Sequence, residues 1–226
     1  MTKRGVDKHT IYHEVLEAMR GAKGCPLCRL EADSVRRYLD SLLYESVNDP
    51  GVRAELVRAR GYCRRHAHTL AGMRDAFGIA ILYQDQVRLF AQFLADLPDT
   101  PSRCAKQVRE WESVERCPAC RIQLECRERY ASTLVGGLVE EEMRSAYSSG
   151  SGLCMPHFIY VLGETRDAGI YRLLVTVEQS KVCALLHDLE DFYRKHDYRF
   201  SQEGFGEEGD SWLRAIKLIV GEDDGF

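Results

Sequence analysis

Four short cysteine motifs, arranged as two copies of one pattern, constrain this chain more than any other feature. Cys25-Pro26-Leu27-Cys28 is answered downstream by Cys63-Arg64-Arg65-His66, and Cys117-Pro118-Ala119-Cys120 by Cys154-Met155-Pro156-His157. The intervals agree as well: 34 residues lie between Cys28 and Cys63, and 33 between Cys120 and Cys154. Such agreement reads as a tandem duplication in which each half builds one four-ligand metal site. The partition within halves is an assumption, because an arrangement exchanged between them would use the same eight residues.

The chemistry of the pattern is specific. A CxxC at a helix start aims two sulfurs at one point, and the free backbone N–H groups there favour thiolate over thiol. A CxxH entering a second helix does the same with one sulfur and one imidazole. Together they form a tetrahedral set suited to structural zinc, and the same set can hold a [4Fe–4S] cluster. The expected ligands are Cys25, Cys28, Cys63, His66, Cys117, Cys120, Cys154 and His157. A redox CxxC calls for a preceding strand, and none is expected before either pair. Covalent haem attachment would need histidine directly after the second cysteine, where Arg29 and Arg121 stand.

Nine cysteines in 226 residues point to metal or redox chemistry rather than a disulfide framework. The N-terminus carries no apolar signal core and the longest apolar runs, such as 79–83, are too short to span a membrane, so a cytoplasmic location is expected. Residues 1–100 carry a net charge of +2 and residues 101–226 a net of −6. No broad basic field invites nucleic acid. A local cluster, Arg53, Arg58, Arg60, Arg64 and Arg65, reads mainly as solvated helix face, with an anion or partner site as the alternative.

Read in order, the spacing predicts an all-α protein of two pseudo-symmetric helical halves, 1–100 and 101–200, with a tail at 201–226. Helices are expected over 7–20, from Pro26 to about 46, over 50–59, from the first CxxH to about 73, and over 79–97. Pro98-Asp99-Thr100-Pro101 is the clearest linker. The second half repeats the order, with a helix around 103–115, another from Pro118, and Gly163 and Gly169 standing where Gly72 and Gly78 do. At a shift of 92, Phe90, Phe93, Leu94 and Leu97 align with Val182, Leu185, Leu186 and Leu189. The tail, without a counterpart, carries a helix capped by Asp210 or Ser211, as a latch on the core or a docking segment for a partner.

Other residues carry weaker expectations. Arg29 and Arg121 could face the negative charge of a three-thiolate site. Tyr38 and Tyr130 read as core, with a hydrogen bond to a ligand as the alternative. Gln86 and Glu178 align within apolar helices and could meet the free ring nitrogens of His66 and His157. Cys104, Cys126 and Cys183 read as buried filler, and His68 should point away from its neighbouring site. No spacing singles out a catalytic apparatus.

The chain also resembles an uncharacterised bacterial family built on a domain of unknown function. The residues that carry the resemblance are Cys25-Pro26-Leu27-Cys28, Leu43-Tyr44-Glu45 with Asn48-Asp49-Pro50, Gly61-Tyr62-Cys63 with His66-Ala67, Gly78-Ile79-Ala80-Ile81-Leu82-Tyr83 and Ser211-Trp212-Leu213-Arg214-Ala215. The resemblance implies a bacterial source and an established architecture, and brings no activity. Two functions follow from the residues: a zinc-stabilised scaffold for protein interaction or regulation, or an iron–sulfur protein in electron transfer or redox sensing. A metal-dependent enzyme is disfavoured, since four protein ligands leave no open position.

Overall fold

The computed structural model describes residues 4–21, 23–112, 115–200 and 202–222, with side chains from Thr10 onward except that of Ser102. Among these residues every α- or 3-10 element is helical and no strand occurs. The helices are α1 (Arg4–Gly21), α2 (Pro26–Ser41), α3 (Pro50–Arg58), α4 (Arg64–Gly72), α5 (Ala76–Ala95), α6 (Pro101–Glu112), α7 (Pro118–Gly137), α8 (Glu141–Ser149), α9 (Met155–Glu164), α10 (Ala168–Lys195) and α11 (Ser211–Val220). None is long and apolar enough to cross a membrane.

Local chemistry sets the boundaries. Proline opens α2, α3, α6 and α7, where its missing N–H costs nothing. Asp49 accepts from the Val52 N–H at 2.9 Å, Asp75 from Gly78 at 2.9 Å, and Asp167 from Gly169 and Ile170 at 2.8 Å. The Asp75 cap explains why α5 starts before the expected Ile79. Gly163 lies inside α9 rather than breaking it, and α2 ends in a π-helical turn over Leu42–Ser46.

The described residues fall into two compact units. Those up to Glu31 and from Cys126 to Glu222 form the first; those from Ala32 to Glu125 form the second. In the first unit α1 packs on α8, with Tyr12 donating to Glu140 and Arg20 to Glu142, both at 2.7 Å. Leu16, Leu27, Tyr130, Leu134 and Tyr147 are buried there, and α11 lies against α9 and α10. In the second unit α3 and α4 pack on α5 around Leu39, Leu56, Tyr62, Leu70 and Leu82.

Each unit therefore takes segments from both sequence halves, and this corrects the expectation that each half closes its own metal site. The reason is reach. From its CPxC the chain runs outward along α2, 16 residues or about 24 Å, and in the second copy along α7, 20 residues or about 30 Å. The returning helices α3 and α8 have nine residues each, about 13 Å, too short to bring the CxxH back to its own CPxC. His66 is left beside Ala32, Val35 and Arg36, midway along α2. There it meets the CPxC of the other copy.

Leu70, fully buried on α4 one turn beyond His66, is a direct test of the second unit's packing. Leu70→Ala should lower the unfolding free energy by about 2–5 kcal/mol in denaturant melts. Tyr171→Ala, at a half-exposed position on α10, should change it by less than about 0.5 kcal/mol.

Candidate metal centres

Two clusters bring all eight predicted residues together, four to each. Cys25, Cys28, Cys154 and His157 meet in the first unit, and Cys63, His66, Cys117 and Cys120 in the second, with the ligand atoms of each set within 4.8 Å of one another. Both clusters use the same local device. Cys154 and Cys63 stand in extended backbone just before α9 and α4, and their carbonyls accept from Phe158 and Ala67 N–H at 2.8 Å. That turn puts His157 and His66 one helical turn in, on the same side as the preceding sulfur. Cys25 and Cys117 stand just before α2 and α7, and Cys28 and Cys120 lie in the first turns.

In the first centre the Nδ1 atom of His157 lies 3.3 Å from the Cys25 sulfur, 3.4 Å from Cys28 and 3.1 Å from Cys154, and Cys28 and Cys154 are 3.6 Å apart. In the second, His66 Nδ1 lies 3.4 Å from Cys63, 3.6 Å from Cys117 and 3.4 Å from Cys120, with Cys63 and Cys120 3.6 Å apart. Burial works against a charged His157 ring, but the sulfurs of Cys154, Cys25 and Cys28 and the Glu31 carboxylate outweigh it and hold the imidazole above its ordinary range. Burial, with the neighbouring Cys117 and Cys63 sulfurs, pushes the Cys120 thiol up to about 12.

The surroundings of the first centre depart from expectation. The partner of the outer His157 nitrogen is Glu31, at 2.6 Å, rather than Glu178. Arg127 clasps the same carboxylate at 2.7 and 3.1 Å, and the Cys28 and Cys154 sulfurs add to the field that favours its charge. Arg127 thus brings a guanidinium up to the first centre. A carboxylate on the far nitrogen of a ligand histidine fixes the ring and its tautomer. Glu178 serves the loop instead: its buried carboxylate accepts from the Leu153 N–H at 3.2 Å and from the Tyr147 hydroxyl at 2.8 Å. Gly152, at φ +85°, lets that loop turn two residues before Cys154, as Gly61 at φ +90° does before Cys63.

Other expectations divide. The Gln86 amide nitrogen is buried without a partner and does not donate to His66. Arg121 is held at the surface by Glu55 at 2.7 Å and Glu125 at 3.3 Å. Tyr130 is a core residue whose hydroxyl donates to Glu14 at 3.0 Å. Cys126 is buried as expected, but Cys104 is half-buried and Cys183 exposed. Arg53, Arg58 and Arg60 are spent on Asp85, Glu115 and the face of Trp111. His68 points outward. Sequence reasoning missed Glu31 and Arg127. The available signal was a carboxylate three residues after Cys28 on an apolar stripe, matched in the second copy by Gln123, which lines a small recess with His66.

Glu31→Gln removes the anionic acceptor from His157 while keeping its shape. Metal affinity at the first centre should fall about 10–100-fold. A competitive chelator titration checks this, with the second centre retaining its affinity.

No solved structure matches the chain. An "Uncharacterized 23.9 kDa protein in xynA 3'region" of Caldicellulosiruptor sp. (strain Rt8B.4) is 27% identical over 201 residues, covering 87% of this chain and 95% of that protein. Residues 8–225 match the DUF6062 family, and the chain belongs to it, a family of unknown function.

Proposed function

We propose that this protein is a zinc-stabilised cytoplasmic scaffold for protein interaction or regulation, each unit built round one ion held by three thiolates and an imidazole. The observation that carries the reading is the spacing of the ligand atoms. Bonds of about 2.3 Å to sulfur and about 2.0–2.1 Å to nitrogen give tetrahedral edges of roughly 3.8 Å between sulfurs and roughly 3.6 Å between sulfur and nitrogen. In each cluster one sulfur pair stands 3.6 Å apart, sulfur–nitrogen separations are 3.1–3.6 Å, and all four ligand atoms lie within 4.8 Å of one another. A cubane cluster needs its ligands at four separate iron corners, with sulfides between them. Ligand atoms in mutual contact therefore support a single ion at each site.

The occupied coordination shell supports a structural ion, because four protein ligands leave no position for substrate. Nine free thiols, with no disulfide, suit a reducing compartment. The ions would join segments that are distant in sequence, as Cys28 and Cys154 are, so their binding energy becomes folding energy.

Protein purified without oxygen and without added metal should carry about two zinc atoms per chain and negligible iron. Several irons with matching sulfide would replace this reading with a redox cluster. Cys25→Ser and Cys117→Ser should each lose one zinc and lower the melting temperature, and an unchanged melting temperature in either would remove the structural role from that centre.

A further inference from the structure

The C-terminal helix α11 is poorly held by its own packing. It lies on α9 and α10, yet Trp212, Ile216 and Ile219 are about half exposed, and of its ten residues only Ser211 is buried. Its arginine pairs with Asp210 at 2.6 Å and Asp188 at 3.0 Å near the surface, where ion pairs contribute little. A helix this short is marginal alone, and one with so little buried area belongs to the low-stability end of a structure.

Its firmest attachment is at its last turn, and that attachment is to the first metal centre. Gly221 ends the helix at φ +85° and ψ 178°, its N–H donating to the Lys217 carbonyl at 3.0 Å. A Cβ at this position would stand 3.2 Å from the Cys28 sulfur and 3.5 Å from the Cys154 sulfur. The next N–H, that of Glu222, donates to the Cys28 sulfur at 3.4 Å. The Glu222 carboxylate lies against Gly24, where a side chain would collide with it, and pairs with Lys217 at 3.3 Å. Glycine alone combines this backbone turn with so close an approach.

We propose that the first metal centre anchors α11: Gly221 and Glu222 strap the helix to the sulfurs of Cys28 and Cys154, so a loaded site seats α11 and an emptied site frees it. This inference rests on the metal-binding reading. A bound ion would fix both sulfurs in one place, where the Glu222 N–H and the Gly221 backbone meet them. Without the ion nothing holds the Cys28 and Cys154 sulfurs in that position, and the strap loses its fixed anchor. Lifting α11 removes one wall, Leu218 and Ile219, of an apolar cavity of about 460 Å³ otherwise lined by Leu153, Phe158 and Val182. Linkage makes the coupling reciprocal, so whatever unseats α11 loosens the metal beneath it.

Gly221→Val in the full-length chain tests the strap through zinc release to a chromogenic chelator and trypsin cleavage after Arg214 and Lys217. In wild type, chelation should speed cleavage within α11 by about tenfold or more. In the variant, cleavage should already be fast and indifferent to chelation, with one zinc released about tenfold faster and the other at the wild-type rate. Tenfold corresponds to ~1.4 kcal/mol of lost anchoring. Both ions leaving at wild-type rates, or α11 cleavage in wild type insensitive to chelation, would overturn the strap while leaving the zinc reading intact. Absence of metal from wild-type protein would overturn both, and that result comes from the metal analysis before any variant is made.

Discussion

Three sulfurs and an imidazole nitrogen in mutual contact set the terms for everything else in this fold. As thiolates they repel; as thiols, buried among apolar side chains, they gain little from lying so close. A cation at the centre turns repulsion into attraction. Every ligand is presented by the first turn of a helix or the residue just before it. Helix starts offer fixed direction and unpaired N–H groups, which is why such small motifs can aim so accurately.

A second layer of contacts shows what it takes to hold that geometry in the first unit. Glu31 reaches His157 from α2, and Arg127 steadies Glu31 from α7. Glu178 on α10 holds the Leu153 amide, and so the loop that carries Cys154. The helices α2, α7, α9 and α10 are thus tied to one point by polar bonds as well as by packing. The second unit places Gln123 at the position of Glu31. A neutral amide replaces a carboxylate, so the two centres stand in different electrostatic surroundings despite their matched ligands.

All-helical structure, the helix starts at proline and the eight residues that gather in the two clusters were legible because each rests on local chemistry: periodicity, caps and two-residue spacers. The partition of ligands was not, because it depends on the length of α2 against α3 and of α7 against α8, quantities that become decisive only when the helices are packed. Glu178 shows the other limit. Its alignment with Gln86 identified a buried polar side chain correctly, but the choice of partner, Leu153 and Tyr147 over His157, depends on a loop whose path follows from Gly152. Arg127 lies 27 residues before Cys154 in sequence and enters the first site only through the turn of α7.

The crossing of ligands between the two sequence halves has a consequence for how the clusters close. A single repeat carries half of each centre and can complete neither from its own residues. Two separate copies could complete both, but only by meeting, so occupancy would depend on how dilute they were. The short linker at 98–101 replaces that encounter with a tether, which raises the effective concentration of each pair of ligands for its complement. Carrying both halves on one chain removes concentration from the conditions that decide whether the two clusters close.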